Sequence, residues 1–247
     1  MCPSPCFDFL EQPGRSQKPR NSGVTVMSDR GMSMAESRSL VEVTGDIADH
    51  IKLTDHLGIM RRYSEEWIRE KNVFYRESGI HTTTGGIPFE AALVQGKVPR
   101  FMEKIAELGF SGVEISGDMV SEIPLKDRQA AIRLGTEHGL QVFPSSGKFP
   151  EKPLNAEEAV ETALHDIEMG AYMMVVGKSD ILKIIREGGD TLHRIADAVP
   201  GEKLIFEAGP GDWPEIARWL LTEFGPETNM ETWDPIKSSR SRRCGMA

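Results

Sequence analysis

The stretch GFSGVEIS (Gly109 to Ser116), with the segment HTTTGGIPFEAALVQGK (His81 to Lys97) before it, shows the pattern that repeats along this chain. A helix is predicted to end at Gly109. A short apolar strand follows, Val113 to Ile115, with polar residues at its carboxyl end. Short β-branched strands are typical of parallel sheets that are buried on both faces, and the amphipathic helices between them are the crossovers. Such folds place their chemistry at the carboxyl ends of the strands.

Eight strand–helix units of this kind can be counted, and they predict a single-domain (β/α)8 TIM barrel, an α/β fold. We assign residues 1–20 to a flexible N-terminal arm, 21–236 to the barrel and 237–247 to a basic tail. Little sequence follows the eighth strand, so the eighth helix is predicted to be truncated. The predicted strands end at Asp29, near Leu53, at Thr84, Ile115 and Ser145, near Lys178, at Glu207 and, for the eighth (ETNME), at Glu231.

Composition narrows the class of protein. The 247 residues match one barrel, and the formal net charge of −9 argues against a nucleic-acid binder. No apolar run approaches the roughly 18 residues that span a bilayer, and the start has no signal-peptide pattern. Three cysteines near the termini form no disulfide framework. We expect a cytoplasmic homo-oligomer with a small anionic substrate and no membrane or nucleic-acid partner.

Common cofactor and nucleophile motifs are absent from the sequence. There is no glycine-rich dinucleotide or Walker-type loop, no zinc-like spacing of His or Cys, and no Gly-x-Ser-x-Gly. The chemistry must therefore come from residues gathered by the fold. On this prediction, the carboxyl face collects Asp29, Lys52, Asp55, Glu114, Ser116, Lys148, Lys178, Glu207 and Asn229.

Oxygen ligands without thiolates suit Mg²⁺, and the lysines would hold an anion or act as acid or base. Each position also has a structural alternative. Asp29 can cap a turn or helix, and Glu114 can belong to a buried ion pair. Gly85 and Gly86 either approach a ligand closely or turn the chain.

Five segments resemble, in order, the phosphosulfolactate synthase family: GVTVMSDRG, DHIKLTD, TTTGGIPFEAALVQGK, LGFSGVEIS and LIFEA. The resemblance covers about residues 15 to 230. It implies a (β/α)8 barrel that adds sulfite to phosphoenolpyruvate with Mg²⁺ in coenzyme M biosynthesis. The positions that match family residues are Asp29, Lys52, Glu90, Glu114, Ser116 and Glu207.

Departures from the family pattern fall on strands 5 to 8. Ser145 and Val176 stand where the family has glutamates, and Lys178 stands where it has arginine, which offers a bidentate fork for anions. The loop after strand 7 reads EAGPGDWP, and strand 8 reads NMETW, which keeps Asn229. The half built by strands 1 to 4 matches the family more closely.

Three hypotheses follow. The first is a Mg²⁺-dependent, phosphosulfolactate synthase-like carbon–sulfur lyase. The second is a related Mg²⁺-dependent barrel enzyme acting on another carboxylated or enolic substrate, and the third is a barrel that only binds. For the first, the resemblance and the strand ends give metal ligands Asp29, Glu114 and Glu207; catalytic residues Lys52, Glu114 and Lys148; and substrate-binding residues Gly85, Gly86, Ser116, Lys178 and Asn229.

Overall fold

The protein is described by a computed structural model over residues 7, 9–11, 14, 16–117, 119–120, 123–146, 154–209 and 211–233. Eight parallel strands pair in chain order, and the eighth pairs with the first, so the sheet closes on itself. The predicted single-domain (β/α)8 barrel is confirmed. The strands are β1 (Thr25–Asp29), β2 (His50–Leu53), β3 (His81–Thr84), β4 (Gly112–Ile115), β5 (Gln141–Ser146), β6 (Met174–Val176), β7 (Leu204–Glu207) and β8 (Met230–Trp233).

Helices cover the outside of the barrel. Two crossovers contain a pair of helices, as the sequence predicted from the breaks near Gly96 and near Gly188. Among the described helices, none combines the length and apolar composition needed to cross a bilayer. The helices are α1 (Met34–Thr44), α2 (Glu65–Glu77), α3 (Gly86–Val94), α4 (Val98–Glu107), α5 (Leu125–Glu137), α6 (Ala156–Glu168), α7 (Lys178–Arg186), α8 (Asp190–Ala198) and α9 (Trp213–Phe224).

An acidic or amide residue followed three positions later by glutamate predicts a capping box before α6 and before α9, and the two differ in outcome. At α6, the Asn155 side chain accepts a hydrogen bond from the backbone N–H of Glu158, as expected of an N-cap. At α9, Asp212 makes no side-chain cap hydrogen bond, so this prediction is wrong. The Asp212 carboxylate instead pairs with the Lys178 ammonium at 3.0 Å. A charged donor forms a stronger hydrogen bond than a backbone N–H, so the ammonium competes with the backbone for this carboxylate.

The apolar core has two parts. One lies between the strands and the helices, in two clusters: the first includes Ile51 and Leu53, and the second includes Ile184 and Leu220. The other fills the barrel interior towards the amino ends of the strands, and we call it the apolar plug: Val24, Val26, Phe143, Met173, Val175 and Ile205. The plug fills the interior at the amino end of the barrel, so we expect a ligand to enter from the carboxyl end.

The pairing register defines the side-chain layers inside the barrel. Lys52 on β2 is the register partner of Thr83 on β3, and Thr83 is the register partner of Gly112 on β4. The Lys52 ammonium nevertheless contacts Glu114, which lies two residues beyond Gly112 on β4. A tilted barrel places residues of alternate strands at one level in this way. The same two-residue step, followed around the barrel through the strand pairings, gives two closed layers. The charged layer is Lys52, Glu114, Val175 and Glu231; the upper layer, nearer the carboxyl end, is Ser28, Gly85, Ser145 and Glu207.

Part of the predicted N-terminal arm is anchored to the barrel. The backbone N–H of Ser16 donates to Glu227 at 2.7 Å, and Arg20 pairs with Asp49 at 2.9 Å. Residues 16 and 20 therefore contact the amino end of the barrel, within the segment that was predicted to be a flexible arm. The truncated eighth helix and the basic tail, 237–247, lie outside the described residues.

Candidate active site

A buried lysine lies at the centre of the barrel. The Lys52 ammonium is 3.0 Å from a carboxylate oxygen of Glu114 and 2.8 Å from one of Glu231, and all three side chains are at most 6% exposed. Burial lowers the pKa of Lys52. The negative charges of Glu114, Glu231 and Glu207 raise it by more than burial lowers it, so the pKa of Lys52 lies above its ordinary value. Lys52 therefore stays protonated at any physiological pH.

Glu231 is the acidic group of the site that sequence reasoning missed. Burial raises its pKa to about 7, the negative charges of Glu114 and Glu207 add to this rise, and Lys52 opposes it. Glu207 and Glu231 are direct register partners on neighbouring strands. Two carboxylates thus contact one ammonium, Glu207 adds a negative charge nearby, and the pKa of Glu231 is raised above its ordinary value.

The upper layer covers the charged layer with small polar side chains. Ser28 and Ser145 face the interior from β1 and β5, and both are buried. Gly85 directly follows β3, and a Cβ at this position would overlap the ring of His56. The ring of His56 therefore fills the space that the glycine leaves. Sequence reasoning also missed His56, although its position just after β2 was a signal.

The Lys178 ammonium lies at the rim above β6 and β7. The backbone N–H of Lys178 donates to the Glu207 carboxylate at 3.1 Å, and its side chain reaches Asp212. A Cβ on Gly209 would lie 2.7 Å from the Lys178 stem. Gly209, at φ +49, therefore lets the loop after β7 pack closely on this lysine.

Ser116 and Gly86 form a second close contact at the carboxyl end. A Cβ on Gly86 would overlap the Ser116 hydroxyl, which donates to Glu90 at 2.6 Å. Glu90 also accepts the backbone N–H of Met119 at 2.7 Å. Glu90 thus fixes the loop after β4, and Gly86 leaves room for Ser116 beside it.

Comparison with known proteins identifies the family of the chain. Residues 13–237 match the family model described as "(2R)-phospho-3-sulfolactate synthase (ComA)". The chain belongs to the phosphosulfolactate synthase family. The resemblance inferred from five sequence segments is therefore confirmed, and the site above is the carboxyl-end site of a phosphosulfolactate synthase family barrel.

Two archaeal phosphosulfolactate synthases are similar to this chain over nearly their whole length. That of Methanothermobacter thermautotrophicus is 30% identical over 241 residues, 93% of this chain and 90% of the relative. That of Methanocaldococcus jannaschii is 30% identical over 236 residues, 91% of this chain and 92% of the relative. These relatives are enzymes, which supports an enzymatic role for this chain.

The fold also matches a solved lyase structure. A crystal structure of 2,3-dimethylmalate lyase, of the PEP mutase/isocitrate lyase superfamily, superposes with a TM-score of 0.59 over 91% of this chain and 80% of that one. The sequences are 12% identical, so this likeness concerns the barrel alone.

Asp29 does not face the site, contrary to the sequence prediction. Its carboxylate is fully buried, 2.6 Å from the Lys71 ammonium and 2.9 Å from the Tyr75 hydroxyl, both on α2. Its other oxygen accepts the backbone N–H groups of Gly31 and Met32. Asp29 is one position past the inward-facing Ser28, so it points to the helices and joins β1 to α2.

Asn229 lies at the opposite end of the barrel from its predicted place. It precedes β8, accepts the backbone N–H of Val24 at 2.8 Å and donates to the carbonyl of Leu204 at 2.8 Å. Strand 8 was predicted as ETNME, which includes Asn229, but it begins at Met230. The substrate-binding prediction for Asn229 is therefore wrong, and its amide joins three segments at the amino end.

The predicted metal set is not assembled. Asp29 faces away from Glu114 and Glu207, and the part of the chain that the structure describes contains no group of three His, Cys, Asp or Glu that could hold a metal. Lys148, a predicted catalytic residue, lies outside the described residues.

The raised pKa of Glu231 predicts a pH-dependent stability. The pKa of Glu231 in the folded protein, about 7, exceeds the reference value of 4.5. Protonation of Glu231 therefore adds stability to the fold that is fully present below pH 4.5 and is lost as the pH rises through 7. Glu231→Gln mimics the protonated acid. We expect the variant to match the wild type at pH 5 and to be more stable at pH 8 by roughly 1–3 kcal/mol.

Chemical denaturation at pH 5, 6, 7 and 8 measures this difference. Glu70→Gln, an exposed carboxylate on α2, is the matched control and should show no such trend. A constant difference between Glu231→Gln and wild type across this range would show that Glu231 has an ordinary pKa.

Proposed function

We propose that this chain catalyses the Mg²⁺-dependent addition of sulfite to phosphoenolpyruvate, which gives phosphosulfolactate, a carbon–sulfur bond-forming reaction of coenzyme M biosynthesis. Membership of the family supports this proposal. The observation that carries it is the charged layer: a protonated lysine between Glu114 and Glu231, inside the barrel and reached from the carboxyl end.

The chemistry requires charge stabilisation and one proton. The sulfur lone pair of sulfite forms a bond to C3 of the enol, and the C2–C3 π electrons move to C2 and the carboxylate. The ammonium of Lys52 would stabilise this developing negative charge. A proton then has to reach C2, and no group leaves.

Glu231 suits the proton transfer better than Lys52. A general acid works best when its pKa lies near the working pH, and the pKa of Glu231 is about 7. Lys52 holds its proton too tightly, because its pKa is raised. We therefore assign proton delivery to Glu231 and the positioning of Lys52 to Glu114.

The charge of the site favours a divalent cation. Glu114 and Glu231 contact the Lys52 ammonium, Glu207 adds a further negative charge nearby, and the proposed substrates add more. Magnesium binds through one or two carboxylates together with substrate oxygens and water, so it does not need the three-residue set that is missing. Glu207, in the upper layer, would hold it. When bound, magnesium would offset the negative charge of the substrate oxygens.

Lys178 is the cation that would receive the phosphate. It lies beside the loop after β7, where barrels of this fold often bind phosphate. In the structure its ammonium pairs with Asp212, and both side chains are partly exposed, so a phosphate can replace this partner.

This ion pair also favours a second candidate function. Asp212 already neutralises Lys178, which suits a substrate without a phosphate. The same site would then act as a Mg²⁺-dependent enzyme on another carboxylated or enolic acid.

Phosphorus NMR of phosphoenolpyruvate with protein, sulfite and Mg²⁺ tests the proposal. We expect a new phosphate-ester resonance that needs both sulfite and Mg²⁺. Glu114→Gln should lower its rate at least about 100-fold, because it loosens Lys52. Glu103→Gln, on the exposed face of α4, is the control and should keep full rate.

Absence of the resonance with wild-type protein would contradict sulfite addition. Deuterium exchange into the methyl group of pyruvate, followed by proton NMR under the same conditions, would then support the second candidate. Loss of that exchange in Glu114→Gln would place it at the same site.

A further inference from the structure

Two buried serine hydroxyls face the barrel interior without a partner. Ser28 is 1% exposed and Ser145 is 7% exposed, and neither hydroxyl has a hydrogen-bond partner in the described part of the chain. An unpaired buried hydroxyl costs about 1–3 kcal/mol. Two of them in one layer therefore indicate a site for a missing acceptor.

The surroundings show which kind of group these hydroxyls would meet. Ser28 is the register partner of Lys52, and Ser145 is that of Val175 in the apolar plug, so both point inward. β1 and β5 are opposite strands of the eight-stranded barrel. The hydroxyls thus lie on facing walls, one layer above the Lys52 ammonium.

The other two positions of the upper layer do not supply an acceptor to the serine hydroxyls. Gly85 contributes no side chain of its own, and the ring of His56 covers it. Glu207 is tied by its carboxylate to the backbone N–H of Lys178. A ligand group between the two serines would meet hydroxyl donors on two sides and an ammonium below.

We propose that Ser28 and Ser145 form a subsite for the carboxylate of the enolic substrate. This inference rests on the proposed function and specifies how the same site holds its substrate. A carboxylate is planar, accepts hydrogen bonds only, and has two oxygens, one for each hydroxyl. The phosphate would remain at the rim beside Lys178, so the reactive carbons lie between the two anchors.

Calorimetric titration with three probes tests this subsite: phosphoenolpyruvate, pyruvate and inorganic phosphate. We expect Ser28→Ala/Ser145→Ala to bind phosphoenolpyruvate and pyruvate at least roughly tenfold more weakly, since each lost bond is made to a charged group. The affinity for inorganic phosphate, which lacks a carboxylate, should not change.

Thr84→Val is the matched control. The Thr84 hydroxyl is also buried and unpartnered, but its register partners Leu53 and Val113 belong to the core outside the barrel. This variant should bind all three probes as the wild type does. The serine double variant should be at least as stable as the wild type, because it removes two unpaired hydroxyls and no hydrogen bond.

The outcomes separate the subsite from the reaction. Unchanged affinity for both carboxylates in the double variant overturns the subsite, even if sulfite addition is observed. Weakened pyruvate binding without sulfite addition by the wild type supports the subsite and refutes the reaction. The subsite is also overturned if the wild type binds neither phosphoenolpyruvate nor pyruvate. It is overturned as well if the double variant loses affinity for Mg²⁺ titrated alone, because the hydroxyls would then be cation ligands.

Discussion

Replacing Lys52 by methionine is expected to lower the free energy of unfolding at pH 8 by about 3–5 kcal/mol and to abolish turnover. The substitution leaves the buried carboxylates of Glu114 and Glu231 without their cation. Urea denaturation measures the loss of stability. At pH 5 the loss should be smaller, since Glu231 is then protonated in the wild type as well.

The control for this variant is Lys97→Met, at an exposed position between α3 and α4. Its unfolding free energy should stay within about 0.5 kcal/mol of wild type. Adding Glu231→Gln to Lys52→Met should restore part of the lost stability, because one uncompensated charge is removed. If Lys52→Met were as stable as the wild type at pH 8, this result would contradict the claim that Lys52 compensates the buried charges of Glu114 and Glu231.

Asp29→Asn is expected to act on stability and to leave magnesium affinity unchanged. Its carboxylate and the Lys71 ammonium are both fully buried, so the variant leaves a buried charge unpaired, at a cost of about 3–5 kcal/mol. Urea denaturation gives the stability, and calorimetric titration of Mg²⁺ in the presence of phosphoenolpyruvate gives the affinity.

Asp46→Asn, an exposed carboxylate after α1, is the control for Asp29→Asn and should change neither quantity. The opposite result for Asp29→Asn, near-native stability with magnesium affinity lost, would restore Asp29 as a metal ligand and contradict its place between β1 and α2.

The fold was predictable because each unit carries local signals. Helix α4 ends before Gly109, which has a φ of +82, and the apolar strand β4 follows at once. Such signals need only a few neighbouring residues. The barrel itself then follows from counting the units, since eight is the number of strands in a (β/α)8 barrel.

The site was predictable only where a charge interrupts an apolar strand. Lys52 and Glu114 each lie between apolar neighbours in a strand that is buried on both faces. A buried charge needs a partner of opposite charge, and in the structure these two residues pair with each other. Their pairing depends on the barrel tilt, which brings residues of alternate strands together. No local pattern contains that tilt.

Asp29 and Glu231 show the limit most clearly. One position along β1 separates Ser28, which faces the interior, from Asp29, which faces α2. The predicted eighth strand, ETNME, starts before the observed one, which placed Asn229 inside the strand and Glu231 at its last position. Both errors concern strand register, which is set by pairing with distant strands and by the packing of the helices.

The most direct test of the account is carbon NMR of phosphoenolpyruvate labelled at C3, incubated with protein, sulfite and Mg²⁺ in deuterium oxide. We predict that the labelled carbon becomes a sulfonate-bearing CH₂ group, with deuterium at C2, and that Lys52→Met and Glu231→Gln slow this change while Thr84→Val does not. An unchanged C3 signal with wild-type protein, or full rate in Lys52→Met, would contradict the assignment of this reaction to the charged layer.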